Sequence, residues 1–482
     1  MDHLDENSMH QQGPTIYARI RRPRSDEART GTSDAFIESL LKRISFVDTP
    51  AIRETYRLLH DWTALSELYE RALRDGVEFL LHVQLLLHQL SWAGLLEFAT
   101  AGETPLAILA TASSEFTINF TKINRDRAYR LSRFAYLRRG GEGALVLESP
   151  KAYSTITLLR PEAMQFLYEL CKGTTVNLIS ERDASVERDE IEALFQFLAV
   201  GAIIEPANEM GVIPEEQDPA LRQWEFHDLL FHSRSRTGRS NLPMGGTFRF
   251  RGQLGPQPAV KPKDFTAHEI VLPQPDINSL MSCDLPLTQV QEKRRSIRTQ
   301  GETPITIQEL GHFLYRVGRV KDTYKTDVGE FTRRPYPSGG ASYELEFYLT
   351  VDRCGGLERG FYYYDPVNHA LIILSSPTEE MEMLIDEAQR SAAMTCRPQV
   401  LLTIASRFQR VSWKYQGIAY ALQLKNVGVV YAIMYLVAIA MNLAPCALGL
   451  GNTDRFCKLA GTDYYREGSI GEFILGSSAA GV

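Results

Sequence analysis

A chain of 482 residues holds about three domain-lengths at roughly 150 residues per domain, which excludes a peptide or a single small module. Hydrophobic residues make up 44% and charged residues 23%, with 22 Phe and 21 Tyr, so the chain has the means to bury large cores and lacks the composition of a disordered polymer. Lys and Arg (52) against Asp and Glu (59) leave a formal charge of -7, which gives no global pull toward nucleic acid or an anionic membrane.

Residues 1–14 are polar and acidic without the apolar run of a signal peptide, and read as a disordered tail. The six cysteines are scattered without a CxxC pair, which argues for reduced thiols in the cytoplasm and against a disulfide framework or metal site.

Residues 15–210 read as two copies of a small winged-helix plan, 15–115 and 116–210. In the second copy, Leu145–Ser149 and Thr155–Leu158 alternate as strands, and Pro161 opens a helix. Ser185 is then placed to cap a helix over 186–199, with Ile191, Leu194, Phe195 and Leu198 on one face, before Gly201 and a further strand. The first copy repeats the order with Thr63–Leu68, a helix over 78–91 and Gly94. The second helices are rich in Leu and Glu and lack phosphate-seeking cations, so the modules point to a peptide or partner rather than to DNA.

Residues 211–285 form a connector with Trp224-Glu-Phe-His-Asp-Leu-Leu-Phe-His232, a basic stretch and several prolines, expected to wrap on its neighbour. His227 and His232 are five apart, which does not set two imidazoles on one helical face for a metal. Residues 286–482 mix a helix within 302–318, strands at 343–351, 360–365 and 370–374, a helix over 379–393 and strands at 400–405 and 469–476, an α+β pattern. Between Lys425 and Asp454 lie 28 residues without formal charge. Such a segment is buried either in lipid or in protein, and Asn442, Pro445, Gly449 and Gly451 favour a core or subunit-interface helix that ends in a glycine-containing loop.

Three segments can carry chemistry. Arg294-Arg-Ser-Ile-Arg298 offers guanidinium forks and a hydroxyl for a phosphate monoester, although basic runs are more often solvated surface. Pro337-Ser-Gly-Gly-Ala341 lets main chain approach a planar ligand, as Asn442–Gly451 does at the helix end, although an ordinary turn and helix termination explain them equally. Together they resemble the nitroreductase-like flavoproteins. With Trp224–His232, Gly360–Asp365 and Glu472-Phe-Ile-Leu-Gly476, the chain is most similar to the SagB/ThcOx-type, McbC-like dehydrogenases, over residues 220–482. The N-terminal modules look like the tandem peptide-recognition elements of cyanobactin oxidases.

The resemblance implies an α+β nitroreductase-like FMN domain preceded by peptide-recognition modules. It implies FMN held by Arg294, Arg295, Ser296, Arg298, Pro337, Ser338, Gly339, Gly340, Ala447, Leu448 and Gly449, with Gly449 beside the reactive flavin nitrogen. Arg455 or Arg466 stands as a second phosphate cation without a motif to choose between them, and Asn442-Leu443-Ala444 departs from the family's Gly-Leu-Gly. It further implies an azoline-bearing precursor peptide as substrate, O2 as electron acceptor, a homodimer and no membrane or nucleic-acid partner. Lys414 and Tyr415 are the implied proton-handling pair. A free Tyr ionises near pH 10, and an adjacent ammonium favours the phenolate, so either Tyr415 is the base tuned by Lys414 or a desolvated Lys414 is itself the base. Two alternatives share these motifs, an NAD(P)H-dependent nitro- or quinone reductase and a peptide-binding protein with a vestigial flavin domain.

Overall fold

The structure, a computed structural model, describes residues 14–21, 50–240, 242–262 and 269–479. The expected tail falls almost wholly outside the described residues. The chain divides into two units at 242/243, so the stretch read as one connector belongs partly to each.

In the first unit, seven strands form one antiparallel sheet: β1 (Tyr17–Ile20), β2 (Thr63–Ala64), β3 (Leu96–Ala99), β4 (Ala107–Thr111), β6 (Tyr136–Arg139), β7 (Leu145–Glu148) and β8 (Ser154–Leu158), in the order β2-β1-β3-β4-β8-β7-β6. A short pair, β5 (Tyr129–Leu131) with β9 (Ile204–Pro206), lies apart from it. Each expected copy contains its helices: α1 (Leu65–Asp75) and α2 (Val77–Trp92), then α3 (Pro161–Leu170), α4 (Val176–Arg182) and α5 (Arg188–Val200). The division at 115/116, however, is not a boundary of packing. β4 pairs with β8 across it from Ala107↔Leu158 to Thr111↔Ser154, and Phe98, Leu109, Ile156 and Phe195 share one core. Pairings that distant in sequence leave no local signal, which is why the copies read as separate. Pro161 opens α3 as expected. Ser185 does not cap α5: its hydroxyl bonds Asp183 at 2.5 Å, and the helix starts at Arg188 after Glu187. His232, on α6 (Phe226–Arg234), packs its ring 5.5 Å from that of Trp224.

The second unit is built on the antiparallel sheet β10-β15-β14-β13-β16-β18-β17, where β10 is Glu269–Val271, β13 Leu345–Val351, β14 Gly360–Asp365, β15 Ala370–Ser375, β16 Val400–Arg407, β17 Leu443–Leu448 and β18 Glu467–Ser477. A hairpin of β11 (Asp322–Thr326) and β12 (Gly329–Arg333) stands beside it. On one face, α7 (Ile307–Gly318) and α9 (Ala419–Ala440) bury Phe313, Val427, Val430, Met434 and Phe473. On the other, α8 (Glu379–Ser391) and α10 (Thr453–Ala460) cover Leu401, Leu448, Ile474 and Phe456. Both faces are therefore covered, and β13 is buried at every position although its sequence alternates. Its polar residues face a buried network: Tyr363 Oη donates to Glu346 Oε2 at 2.9 Å, and Arg407 pairs with the same carboxylate.

The segment expected as a loop after the apolar helix is strand β17, paired from Leu443↔Ser477 to Leu448↔Glu472. Pro445 is tolerated because β17 is the sheet edge and needs no donor on its outer side. Among the described residues, α9 is the one helix long and apolar enough to cross a membrane, and about a third of its apolar stretch is buried in the protein. Leu424, Gly428 and Ala432 lie on an uncovered face.

Candidate active site

Two clusters form around α9, and each joins segments that the sequence reading singled out separately. The first is the turn Pro337–Ala341. Lys414 and Tyr415 do not begin the central helix but lie in the turn just before it, after a short helix over Phe408–Ser412. The Phe248 N–H donates to Lys414 O at 3.2 Å, and Trp413 Nε1 donates to Leu254 O at 2.7 Å, which fix this turn from the stretch after 243. Lys414 Nζ then donates to Gly340 O at 3.3 Å and lies 5.2 Å from the Tyr415 ring centroid. Gly340 has φ 62°, and a Cβ there would collide with both the Tyr415 hydroxyl and the Lys414 ammonium. Gly339 is pressed equally closely on Leu422 of α9. Ala341 (φ 54°) and Tyr343 (φ 46°) also occupy the left-handed region, where a side chain is strained. Strain of this kind persists only where surrounding contacts hold it, and it clusters at functional sites.

Those contacts come from residues that sequence reasoning missed. Asn426 of α9, immediately before its apolar run, accepts from Gly339 N at 3.1 Å and donates to Ser338 Oγ at 3.1 Å and Glu344 Oε1 at 2.8 Å. Ser338 Oγ in turn donates to Glu344 and accepts from Tyr343 N at 3.0 Å. Glu344 is fully buried, and burial raises its carboxyl above the ordinary range, with Asn426 and Ser338 opposing the rise. Beside Lys425 and Gln423 nothing local marked Asn426 as a site residue; only its burial requires its amide to find partners.

The second cluster joins the arginine run to β17. Tyr435 of α9 shares a 2.7 Å hydrogen bond with Ser296 Oγ and accepts from Ala447 N at 2.8 Å, and Ile297 N donates to Pro445 O at 2.8 Å. Arg294 lies 5.5 Å from the Tyr435 ring centroid. Among the described residues, Arg294, Arg295 and Arg298 are exposed and form no ion pair with a carboxylate, which leaves three guanidinium groups and a hydroxyl open to a phosphate. Gly449, just past β17, is exposed, and a Cβ there would meet nothing within 4 Å. Of the two candidate second cations, Arg455 is engaged with Glu387 at 3.4 Å. Asn426 and Tyr435 are nine residues apart, about two and a half helical turns, so the two clusters lie on opposite sides of α9 and one chain does not merge them.

Another buried carboxyl lies outside both clusters. Glu472 on β18 is pushed up to about 7 by burial, against which a hydrogen bond with Ser469 acts. A folded-state value above the ordinary 4.5 means that the native protein binds the extra proton. The associated stability is present in full below about 4.5 and is lost as pH rises through about 7, a total of about 3 kcal/mol. Glu472→Gln should flatten the fall in urea-unfolding free energy over that window; an unchanged slope would mean that Glu472 is ionised in the fold.

Comparison with known proteins places the chain in a family. The nitroreductase family model matches residues 292–477, and the cyanobactin oxidase ThcOx model matches residues 129–241. A protein named as a nitroreductase in Methanocaldococcus jannaschii is 30% identical over 166 residues, 34% of this chain and 79% of that protein. The chain thus belongs to the nitroreductase family, with the ThcOx match lying before its nitroreductase domain. The trifolitoxin-processing protein TfxB of Rhizobium leguminosarum bv. trifolii is 30% identical over 91 residues, 18% of this chain and 24% of that protein's length. A solved nitroreductase structure from Ralstonia eutropha JMP134 aligns at 20% identity and a TM-score of 0.34, covering 50% of this chain and all of that one.

Proposed function

We propose that the chain is an FMN-dependent dehydrogenase that oxidises thiazolines or oxazolines of a ribosomally made precursor peptide to thiazoles or oxazoles. The observation that carries this reading is the meeting of Lys414 and Tyr415 at the strained Gly339–Gly340 turn of a nitroreductase-family domain. The ThcOx match and the likeness to a trifolitoxin-processing protein support a peptide substrate held by the first unit.

The residues present fit FMN. Arg294, Arg295, Arg298 and Ser296 would hold its phosphate, the main chain of Ala447, Leu448 and Gly449 would line its ring system where Gly449 leaves open space, and Pro337–Gly340 would pack on the ring. Bound there, FMN supplies a hydride acceptor. The chain's own task is the proton. Aromatisation of an azoline removes a proton from one ring carbon and a hydride equivalent from its neighbour. Tyr415 takes the proton, and Lys414, anchored on Gly340 O, places a positive charge beside the phenolate that forms. The exchange of these two roles has the same geometry. O2 receives the electrons.

A homodimer is part of this proposal. The two clusters lie on opposite sides of α9, so one copy does not unite them, and the uncovered Leu424, Gly428 and Ala432 offer a second copy a face to pack on. The direct test is to incubate the full chain with FMN and a thiazoline-bearing precursor peptide under air and to follow the peptide by mass spectrometry. Loss of two hydrogens per oxidised ring is expected. An unchanged peptide mass, together with rapid bleaching of the bound flavin by NADPH, would sink the proposal in favour of a reductase.

A further inference from the structure

The face of the second sheet covered by α8 and α10 holds a cavity of about 450 Å³. Leu384, Ala388, Leu401 and Leu448 give it an apolar wall, and the Glu472 carboxylate at its side fills the space that a side chain on Gly451 would take. Of the residues assigned to the proposed flavin and proton sites, Leu448 borders this space; the arginine run, the glycine turn, Lys414 and Tyr415 do not. The volume lies within the range of small-molecule sites, about 300–1,000 Å³.

Glu472 gives the cavity its chemical character. The residue is 9% exposed, and among the described residues no cation comes within 4.0 Å of its carboxylate, Arg390 on the same wall included. The other carboxylate on the wall, Glu387, is already taken by Arg455 at 3.4 Å and by the Asn452 amide at 3.4 Å. One buried carboxyl, hydrogen-bonded to Ser469 but with no cation on it, therefore borders the apolar part of the chamber. A carboxylate in such surroundings gains most from a ligand that brings its own positive charge and displaces water with hydrocarbon.

We infer that this cavity binds a small primary amine with an apolar body, its ammonium on Glu472 and its hydrocarbon part against the leucines. A free small molecule fits better than the end of a lysine side chain, which would leave most of the volume unfilled. The burial that raises the Glu472 carboxyl is the same burial that a bound ammonium would compensate, so ligand binding returns the group to its ionised form.

The test is calorimetric titration of the full chain, with FMN at saturating concentration, using 2-phenylethylamine and its neutral counterpart 2-phenylethanol. The amine should bind at least ~10-fold more tightly than the alcohol. Glu472→Gln should abolish that preference, and Ala388→Phe, which fills the cavity from α8, should remove both ligands. Equal affinities, no binding of either compound, or a preference that survives in Glu472→Gln would overturn the inference. So would competition between the amine and FMN, which would give the cavity to the flavin. None of these outcomes depends on azoline oxidation, so the two readings fail separately.

Discussion

Replacement of Tyr415 by Phe is expected to slow azoline oxidation by at least about 10²-fold while the protein keeps its flavin, because the phenol is the group placed to take the ring proton. Lys414→Ala should slow it comparably, since the ammonium that donates to Gly340 O at 3.3 Å is also the charge beside that phenol. If the two act as a unit, the double variant should lose little more than either single one. The measurement is anaerobic bleaching of bound flavin by a thiazoline peptide in a single turnover, which separates proton removal from reoxidation. Parental rates in both variants would remove the pair from the chemistry, whereas loss of flavin would show a positioning role instead.

The largest expected loss of stability follows from Asn426→Leu. The substitution is close in volume, but it strips the half-buried Gly339 N–H of its acceptor and takes from the buried Glu344 a donor at 2.8 Å. Leaving a buried carboxyl and a half-buried donor without these partners should cost about 2–5 kcal/mol. The sign of the pH dependence is fixed by Glu344. Its carboxyl is already raised by burial, and the lost amide is one of the contacts that lower it, so the variant's native state takes up a proton more readily than the parent's. Stability tied to that proton is present at low pH and is lost as pH rises, so the penalty of Asn426→Leu should be smaller at pH ~5 than at pH ~8. Urea unfolding at the two values checks this. A penalty that grows on acidification would mean that Glu344 is ionised and held by other groups.

These two sites show how far the sequence could be read. Gly339 and Gly340 marked a turn where main chain could approach a ligand, and the structure puts a positive φ at Gly340 with Lys414 and Tyr415 against it. The apolar helix and the β14–β15 hairpin were equally plain, because their signals are local: a long uncharged run, and two apolar strands around Asp365-Pro366. Asn426, Glu344 and Tyr435 were not legible as site residues. Their importance rests on partners 82–139 residues away, and nothing adjacent in the chain reports such a contact. The same reason hid the single sheet of the first unit, since the β4–β8 pairing bridges two stretches that each look self-sufficient. β17 was misread for a different cause: Pro445 and the nearby glycines suggest a loop wherever the strand's edge position is unknown.

Tyr435 has one more implication. Its single oxygen touches both the hydroxyl of Ser296 and the N–H of Ala447, segments about 150 positions apart in the chain. It works as a shared pin: the guanidinium-bearing stretch and the outermost strand are both referred to one phenol oxygen, at 2.7 and 2.8 Å. Loss of that single atom would therefore free both margins at once, although neither margin had itself been altered.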